Sequence, residues 1–354
     1  MRGEPEYLPE ADRAAGCAHP RETYDLIGHK DAEIRFLKAI SSGRMHHAWL
    51  ITGPSGSGKA TLAYRMIRHI LGGKSLLENS LDIPASDPVA QRLEALGHGD
   101  FFLLRRPYDE KTKKFKTEIP VDATRNLRDF FTRKSSEGGW RCALIDTADE
   151  LNRNAENGVL KTLEEPPDKT FIILLSSKPG RLLPTIRSRC LHLPLRAVPD
   201  AEILPWLRNQ SENNGADPAL LEAAVKLSRG APGRAVSLLQ NTETVLAPLT
   251  RYLASLDRGN TELDHQLAGL FAPATAQESR MLFWEALQDV LQAQTRFCAT
   301  GTWQGAFKPL PVAKPVARWQ SLWERAGFLQ EREEALNMDK TTVMLDMLAE
   351  IRAA

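Results

Sequence analysis

Gly53-Pro54-Ser55-Gly56-Ser57-Gly58-Lys59 has the spacing G-x-x-x-x-G-K. In that pattern, backbone amides can cradle a phosphate and the lysine can neutralise it. The next position departs from it. A serine or threonine there would offer a hydroxyl to magnesium, whereas Ala60 offers none and Thr61 lies about 100 degrees further round a helix. Asp146 closes an apolar run, where a carboxylate would hold magnesium or its water. Thr147 follows it, where an ATPase of this design would carry the glutamate that activates water. Asp149 and Glu150 come one turn later and read as the start or cap of the next helix. Two departures in one site leave two readings: a loop that binds nucleotide without turning it over, or a turn that joins strand to helix.

A third feature is Leu183-Pro184-Thr185-Ile186-Arg187-Ser188-Arg189-Cys190. An arginine at a domain rim is usually a salt-bridging surface residue. A guanidinium fixed beside the core, at the edge of a phosphate-loop fold, can instead reach a phosphate on a neighbouring subunit. That is the functional reading of Arg189.

These residues need elements to position them. Ile34, Leu37 and Ile40 are spaced as one face of a helix, and Ala48 to Thr52 is a short apolar run that predicts a buried strand. After the glycine loop, Leu62, Met66 and Ile70 predict a helix, so the loop lies between strand and helix as a phosphate site requires. Residues 72–99 are mixed and turn-rich, and Phe101 to Leu104 reads as a second strand. Lys111, Lys113, Lys114 and Lys116 fall in a basic excursion best explained as a solvated hairpin. Asp122 is expected to cap a helix that uses Leu127, Phe130 and Phe131 and ends before Gly138-Gly139. Arg141 to Ile145 is a strand, Asn152 to Glu165 a helix stopped by Pro166-Pro167, and Phe171 to Leu175 a strongly apolar strand. Strands alternating with helices predict an α/β domain with a parallel sheet covered on both faces.

After Pro199 the strands disappear. Asp217-Pro218 opens a helix carrying Leu220, Leu221, Ala224, Val225 and Leu227 before Gly230, and a short helix runs from Arg234 to Leu239. Helical spacing returns with Trp284, Leu287 and Leu291, and again with Met344, Met347, Leu348 and Ile351; residues 301–315 read as a connector. The expected division is a loose arm at 1–20, an α/β domain at 21–197, a small helical domain at 198–243 and an all-α domain at 244–354.

The 354 residues carry 46 Lys plus Arg against 45 Asp plus Glu, a net charge of +1, which excludes protein-wide attraction to nucleic acid and leaves only a local patch. With 42% hydrophobic and 26% charged residues there is material for real cores. The four cysteines form no CxxC pair and read as reduced thiols, without a metal knuckle. No apolar run approaches the ~20 residues that span a bilayer, and the first residues lack a secretory layout, so a cytosolic protein without membrane contact is expected.

Together, His47-Ala48-Trp49-Leu50, the glycine loop, Asn157-Gly158-Val159-Leu160-Lys161-Thr162-Leu163-Glu164-Glu165-Pro166-Pro167 and the Ser188-Arg189-Cys190 core resemble the AAA+ clamp-loader family over about residues 20 to 240. The C-terminal part, with Asn337-Met338-Asp339-Lys340, is similar in being a helical collar. The resemblance implies that 198–243 is a lid and 244–354 an oligomerisation collar, and that Arg189 acts in trans on the ATP site of an adjacent gamma or tau subunit. It also implies a vestigial nucleotide site of Gly53, Gly56, Gly58, Lys59, Thr61 and Asp146. Ser177 falls at the sensor-1 position, and Arg234, displaced by about one residue, near sensor 2. The implied cofactor is ATP, with no zinc, since the cysteine cluster of many relatives is missing. The implied partners are gamma or tau and delta in a five-membered ring that opens the sliding clamp and places it on primed DNA. Intrinsic catalysis is not expected; the chain would be one subunit of a DNA polymerase, that is a nucleotidyltransferase, holoenzyme. The alternatives are an active gamma/tau-type ATPase or a small-molecule phosphotransferase.

Overall fold

The computed structural model describes residues 9–14, 17–210, 215–256, 261–310, 315–335 and 338–353. Residues 1–8 and 15–16 of the expected arm, 311–314 of the connector and Asn337 lie outside them. The chain divides into two compact units, residues 1–198 and 199–354.

In the first unit, the apolar runs become parallel strands: β1 (Ala48–Thr52), β2 (Phe101–Leu104), β5 (Arg141–Ile145), β6 (Thr170–Ser176) and β7 (Leu191–Pro194), in the order β2-β5-β6-β1-β7. Register is continuous across the centre, with Leu50 beside Leu174 and Ile145 also beside Leu174. Successive side chains point to opposite faces, and both faces are buried. Trp49, Ile51, Cys142, Leu144, Phe171, Ile173 and Leu175 enter one core, with α1 (Lys30–Ser41), α2 (Lys59–Ile70) and α3 (Pro88–Glu94) supplying Phe36, Leu62, Met66 and Leu93. Ala48, Leu50, Ala143, Ile145, Ile172 and Leu174 enter the other. That second face is covered by α4 (Val121–Thr132), α5 (Arg153–Glu164) and α6 (Pro184–Ser188), through Leu127, Val159 and Ile186. β3 (Tyr108–Asp109) and β4 (Lys114–Phe115) form a small antiparallel hairpin with the four lysines exposed.

Three expectations change. In α1 the buried residues are Ala32 and Phe36, while Ile34 is 48% exposed, because only one narrow face of this outer helix reaches the core. Asp122 is not a cap; it lies in the first turn of α4 and pairs with Arg125, and Pro120 occupies the capping position. The described part of the N-terminal segment is not loose. Arg21 grips Glu10 through both terminal nitrogens at 2.7 and 2.9 Å, Arg105 bonds Glu10 at 2.9 Å and also Asp12, and His19 stands 3.3 Å from Asp12, whose side chain is fully buried. Pairing at this density fixes a segment that has no periodicity of its own.

Every regular element among the described residues of the second unit is a helix, with residues 301–310 an irregular connector. The unit contains α7 (Asp200–Arg208), α8 (Pro218–Ser228), α9 (Pro232–Gln240), α10 (Ala247–Ala254), α11 (Thr261–Phe271), α12 (Gln277–Thr300), α13 (Val316–Ala335) and α14 (Lys340–Arg352). One apolar cluster runs from Ala224 to Ile351, centred on Trp284, Trp319 and Tyr252.

Candidate functional site

β1 ends at Thr52 and the chain turns through Gly53–Gly58 into the N-terminus of α2. Gly56 (φ 75°) and Gly58 (φ 89°) adopt a backbone that L side chains rarely enter, and a Cβ on Gly58 would also press to 2.9 Å of Leu26. The loop therefore has the phosphate-cradle form, with the first amides of α2 lacking intrahelical partners. Ser57 Oγ is buried there with no hydrogen-bond partner. Thr61 is half-buried in the first turn of α2, one residue past Ala60.

Lys59 is turned inward. Its Nζ donates to Gly53 O at 2.9 Å, Pro54 O at 2.8 Å and Ser177 Oγ at 2.9 Å, so its three protons are directed at the loop and at the end of β6. Burial pulls its ammonium down to about 8, against the opposing charges of Asp146 and Asp149. Asp146 follows β5, two strands from the loop. Burial pushes its carboxyl up to about 7, helped by the nearby charge of Asp12, with Lys59 pulling the other way. The loop, Lys59, Asp146 and Ser177 are thus brought to one end of the sheet.

The sequence does not mark Asp149 as a site residue, and the structure places it in the site. Ala148–Glu150 is a single 3-10 turn, and Asn152, not Asp149 or Glu150, caps α5, accepting from Ala155 N at 2.9 Å. The Asp149 carboxylate instead accepts from Ser176 Oγ (2.6 Å), Ser177 N (2.6 Å) and Lys178 N (3.0 Å) and fixes the residue that meets Lys59. Glu150 pairs with Arg106 at 2.9 Å. The partners of Asp149 lie 27 to 29 residues further along the chain, so no local spacing marks this role.

The set fits a phosphate better than a metal. Loop amides and Lys59 are the donors a polyphosphate takes, provided Lys59 leaves the two carbonyls it holds. Ala60 brings no hydroxyl, and a carboxyl that titrates near 7 is a weaker magnesium ligand than one that is fully ionised. Among the described residues, no group of three or more His, Cys, Asp or Glu could hold a metal ion.

Arg189 closes α6 at the rim of the first unit, its side chain 36% exposed. Nη2 lies 2.8 Å from Glu164 Oε1 and Nη1 donates to Thr185 O at 3.1 Å. Arg234 belongs to the second unit, near the start of α9, where it donates to Asp289 at 2.9 Å and lies 3.3 Å from Glu285.

The first unit thus combines a five-stranded parallel sheet, a glycine loop entering a helix, a carboxylate two strands away from that loop and a rim arginine. Residues 28–199 match the family described as DNA polymerase III, delta subunit. A delta-prime subunit of Yersinia pestis is 36% identical over 204 residues, 56% of this chain and 57% of that one. One from Escherichia coli K12 is 33% identical over 206 residues, 58% of each. A tau/gamma subunit of Haemophilus influenzae is 30% identical over 232 residues, 64% of this chain and 31% of that one. A solved gamma subunit-related protein of Thermotoga maritima is 17% identical over 91% of this chain and 99% of that one, with a TM-score of 0.46. The chain spans a little over half the length of the delta-prime relatives it matches. Residues 28–199 are a P-loop domain of the AAA+ clamp-loader class. Within that class they belong with the delta-prime-like subunits of DNA polymerase III. No helix among the described residues is long and apolar enough to cross a membrane.

Proposed function

We propose that this chain acts as a delta-prime-type member of a clamp-loader ring. It braces the ring, lends Arg189 to the triphosphate of an adjacent gamma or tau subunit, and has little or no nucleotide turnover of its own. The observation that carries this reading is the contrast between two cations. Lys59 spends its protons on its own loop and on Ser177, while Arg189 is held at the rim, part exposed, with two of its five N–H groups directed to Glu164 and Thr185. A guanidinium so held can bridge phosphate oxygens as charge gathers on them.

In this proposal ATP, if taken up, is held by the amides of Gly56 and Gly58, with Gly53, whose own N–H donates to Ser176 O at 3.2 Å, forming the turn, and with Lys59 swinging from the carbonyls and Thr61, Ser177 and Asp146 alongside; it supplies binding energy to the ring rather than chemistry here. Arg234 is assigned to sensing by resemblance alone, and its contacts to Asp289 and Glu285 support a structural duty within the second unit. Residues 198–243 would serve as lid and 244–354 as collar. The partners are gamma or tau and delta, and through them the sliding clamp and primed DNA.

In a loader assembled from all its subunits, Arg189→Ala should lower the clamp-stimulated ATPase by at least about tenfold, since a trans arginine accounts for about 10³ to 10⁵ in rate elsewhere. Lys59→Ala should leave it largely intact. Equal loss from both would overturn this reading in favour of an active gamma/tau-type ATPase, which the retained Gly58-Lys59 pair favours. Brisk ATP turnover by the purified chain alone would do the same.

A further inference from the structure

Glu164 is the last residue of α5, where a carboxylate faces the negative end of the helix dipole and works against the helix. Its presence is therefore not explained by the helix it ends. Its partner is Arg189, at 2.8 Å. Eight residues earlier on the same helix face, Glu156 accepts a hydrogen bond from Leu183 N at 3.1 Å, and its side chain is buried. α6 thus lies along α5 with a carboxylate at each end and Ile186 plugged into the core between them. An exposed ion pair of this kind contributes little to stability. What it does fix is the plane of the guanidinium, together with the second bond to Thr185 O.

We propose that Glu164 is the positioning residue of Arg189: it sets the guanidinium at the rim in the orientation in which a neighbour's phosphate meets it. This rests on the trans role given to Arg189 above. Preorganisation of this sort acts on rate, because a charge that must search for its place when the reaction occurs has lost part of its effect.

The test is the clamp-stimulated ATPase of the complete loader carrying Glu164→Ala or Glu164→Gln, alone and combined with Arg189→Ala, with ring assembly followed by gel filtration. Glu164→Ala should lower kcat about tenfold while KM for ATP stays within about twofold. Glu164→Gln, which keeps the accepting oxygen, should recover most of that loss. In the Arg189→Ala background, Glu164→Ala should have no further effect, since it acts through the arginine.

A Glu164→Ala loader that runs at the wild-type rate while Arg189→Ala is impaired overturns the positioning role and leaves the trans arginine standing. A failed ring, no recovery with glutamine, or a further loss on top of Arg189→Ala overturns it in favour of a structural role. If Arg189→Ala itself runs at the wild-type rate, the trans reading falls and the positioning role falls with it.

Discussion

At the scale of single residues, the phosphate-loop end of the sheet is a chain of hydrogen bonds between two charged side chains and the neutral groups that hold them in place. Asp149 fixes Ser177, Ser177 accepts from Lys59, and Lys59 closes on Gly53 and Pro54. Asp146 stands within reach of this chain but is buried, and its carboxyl is pushed up to about 7. The unfolded chain releases that proton near 4, so the folded chain holds it more tightly. The stability this gives is full below about 4, is lost as pH rises through about 7, and is absent above that. Asp146→Asn removes the titration. At pH 8.5 the variant should therefore be more stable than the wild type, by on the order of 2 to 4 kcal/mol at about 1.4 kcal/mol per pKa unit. The gain should shrink steadily as pH falls from 7 towards 4. Urea midpoints across that range decide it; a gain that is the same at pH 4.5 and 8.5 would mean that burial of the charge is not what raises the carboxyl.

At the scale of elements, α5 is the hub of the second sheet face: it is capped by Asn152, brackets α6 with Glu156 and Glu164, and lies close against α4. The close approach is at Gly158, where a Cβ would come to 2.3 Å of Thr124 Oγ1, a hydroxyl committed to Val121 O at 2.7 Å. Alanine has the better helix propensity, by up to about 1 kcal/mol. Gly158→Ala should nonetheless destabilise the first unit by about 1 to 3 kcal/mol, because a β-branched neighbour inside a helix cannot turn aside. Thr124→Ala in the same chain should return most of the loss, as a denaturation midpoint would record. The residues also show why some elements were legible in sequence and others were not. β1, β5 and β6 are continuous apolar runs because both faces are buried, and the loop and Ser188-Arg189-Cys190 are local patterns. β7 reads Leu-His-Leu-Pro, a four-residue edge strand too short and too mixed to stand out, and α3 is hidden in a turn-rich stretch with only Asp87-Pro88 to announce it. Asp149 was unreadable because its partners lie 27 to 29 residues away, and Glu10 because Arg105 lies 95 away. Pairing across such separations is decided by the tertiary fold and leaves no spacing to detect.

At the scale of the whole chain, each unit has its own core: the first has two apolar layers either side of a sheet, and the second a helical cluster with charges buried inside it. In the second, Arg280 meets Glu333 at 2.5 Å with both side chains nearly inaccessible (3% and 2% exposed), Trp284 Nε1 donates to the other Glu333 oxygen at 2.9 Å, and Arg280 donates to Phe271 O at 2.8 Å. This ties α13 to α12 and to the end of α11. The pair as a whole need not stabilise, since desolvation of two ions offsets their attraction, but removing one partner leaves the other charged and buried. Glu333→Ala should therefore cost about 3 to 5 kcal/mol, whereas replacing both, as Arg280→Met with Glu333→Leu, should cost far less. Hydrogen exchange would locate the loss as well as size it. Amides of α11, α12 and α13 should lose protection in Glu333→Ala while those of β5 and β6 keep theirs, because an opening confined to one core need not cross into another. Equal loss of protection in β5 and β6 would show that the two units unfold as one, and that the separate cores do not act as separate cooperative blocks.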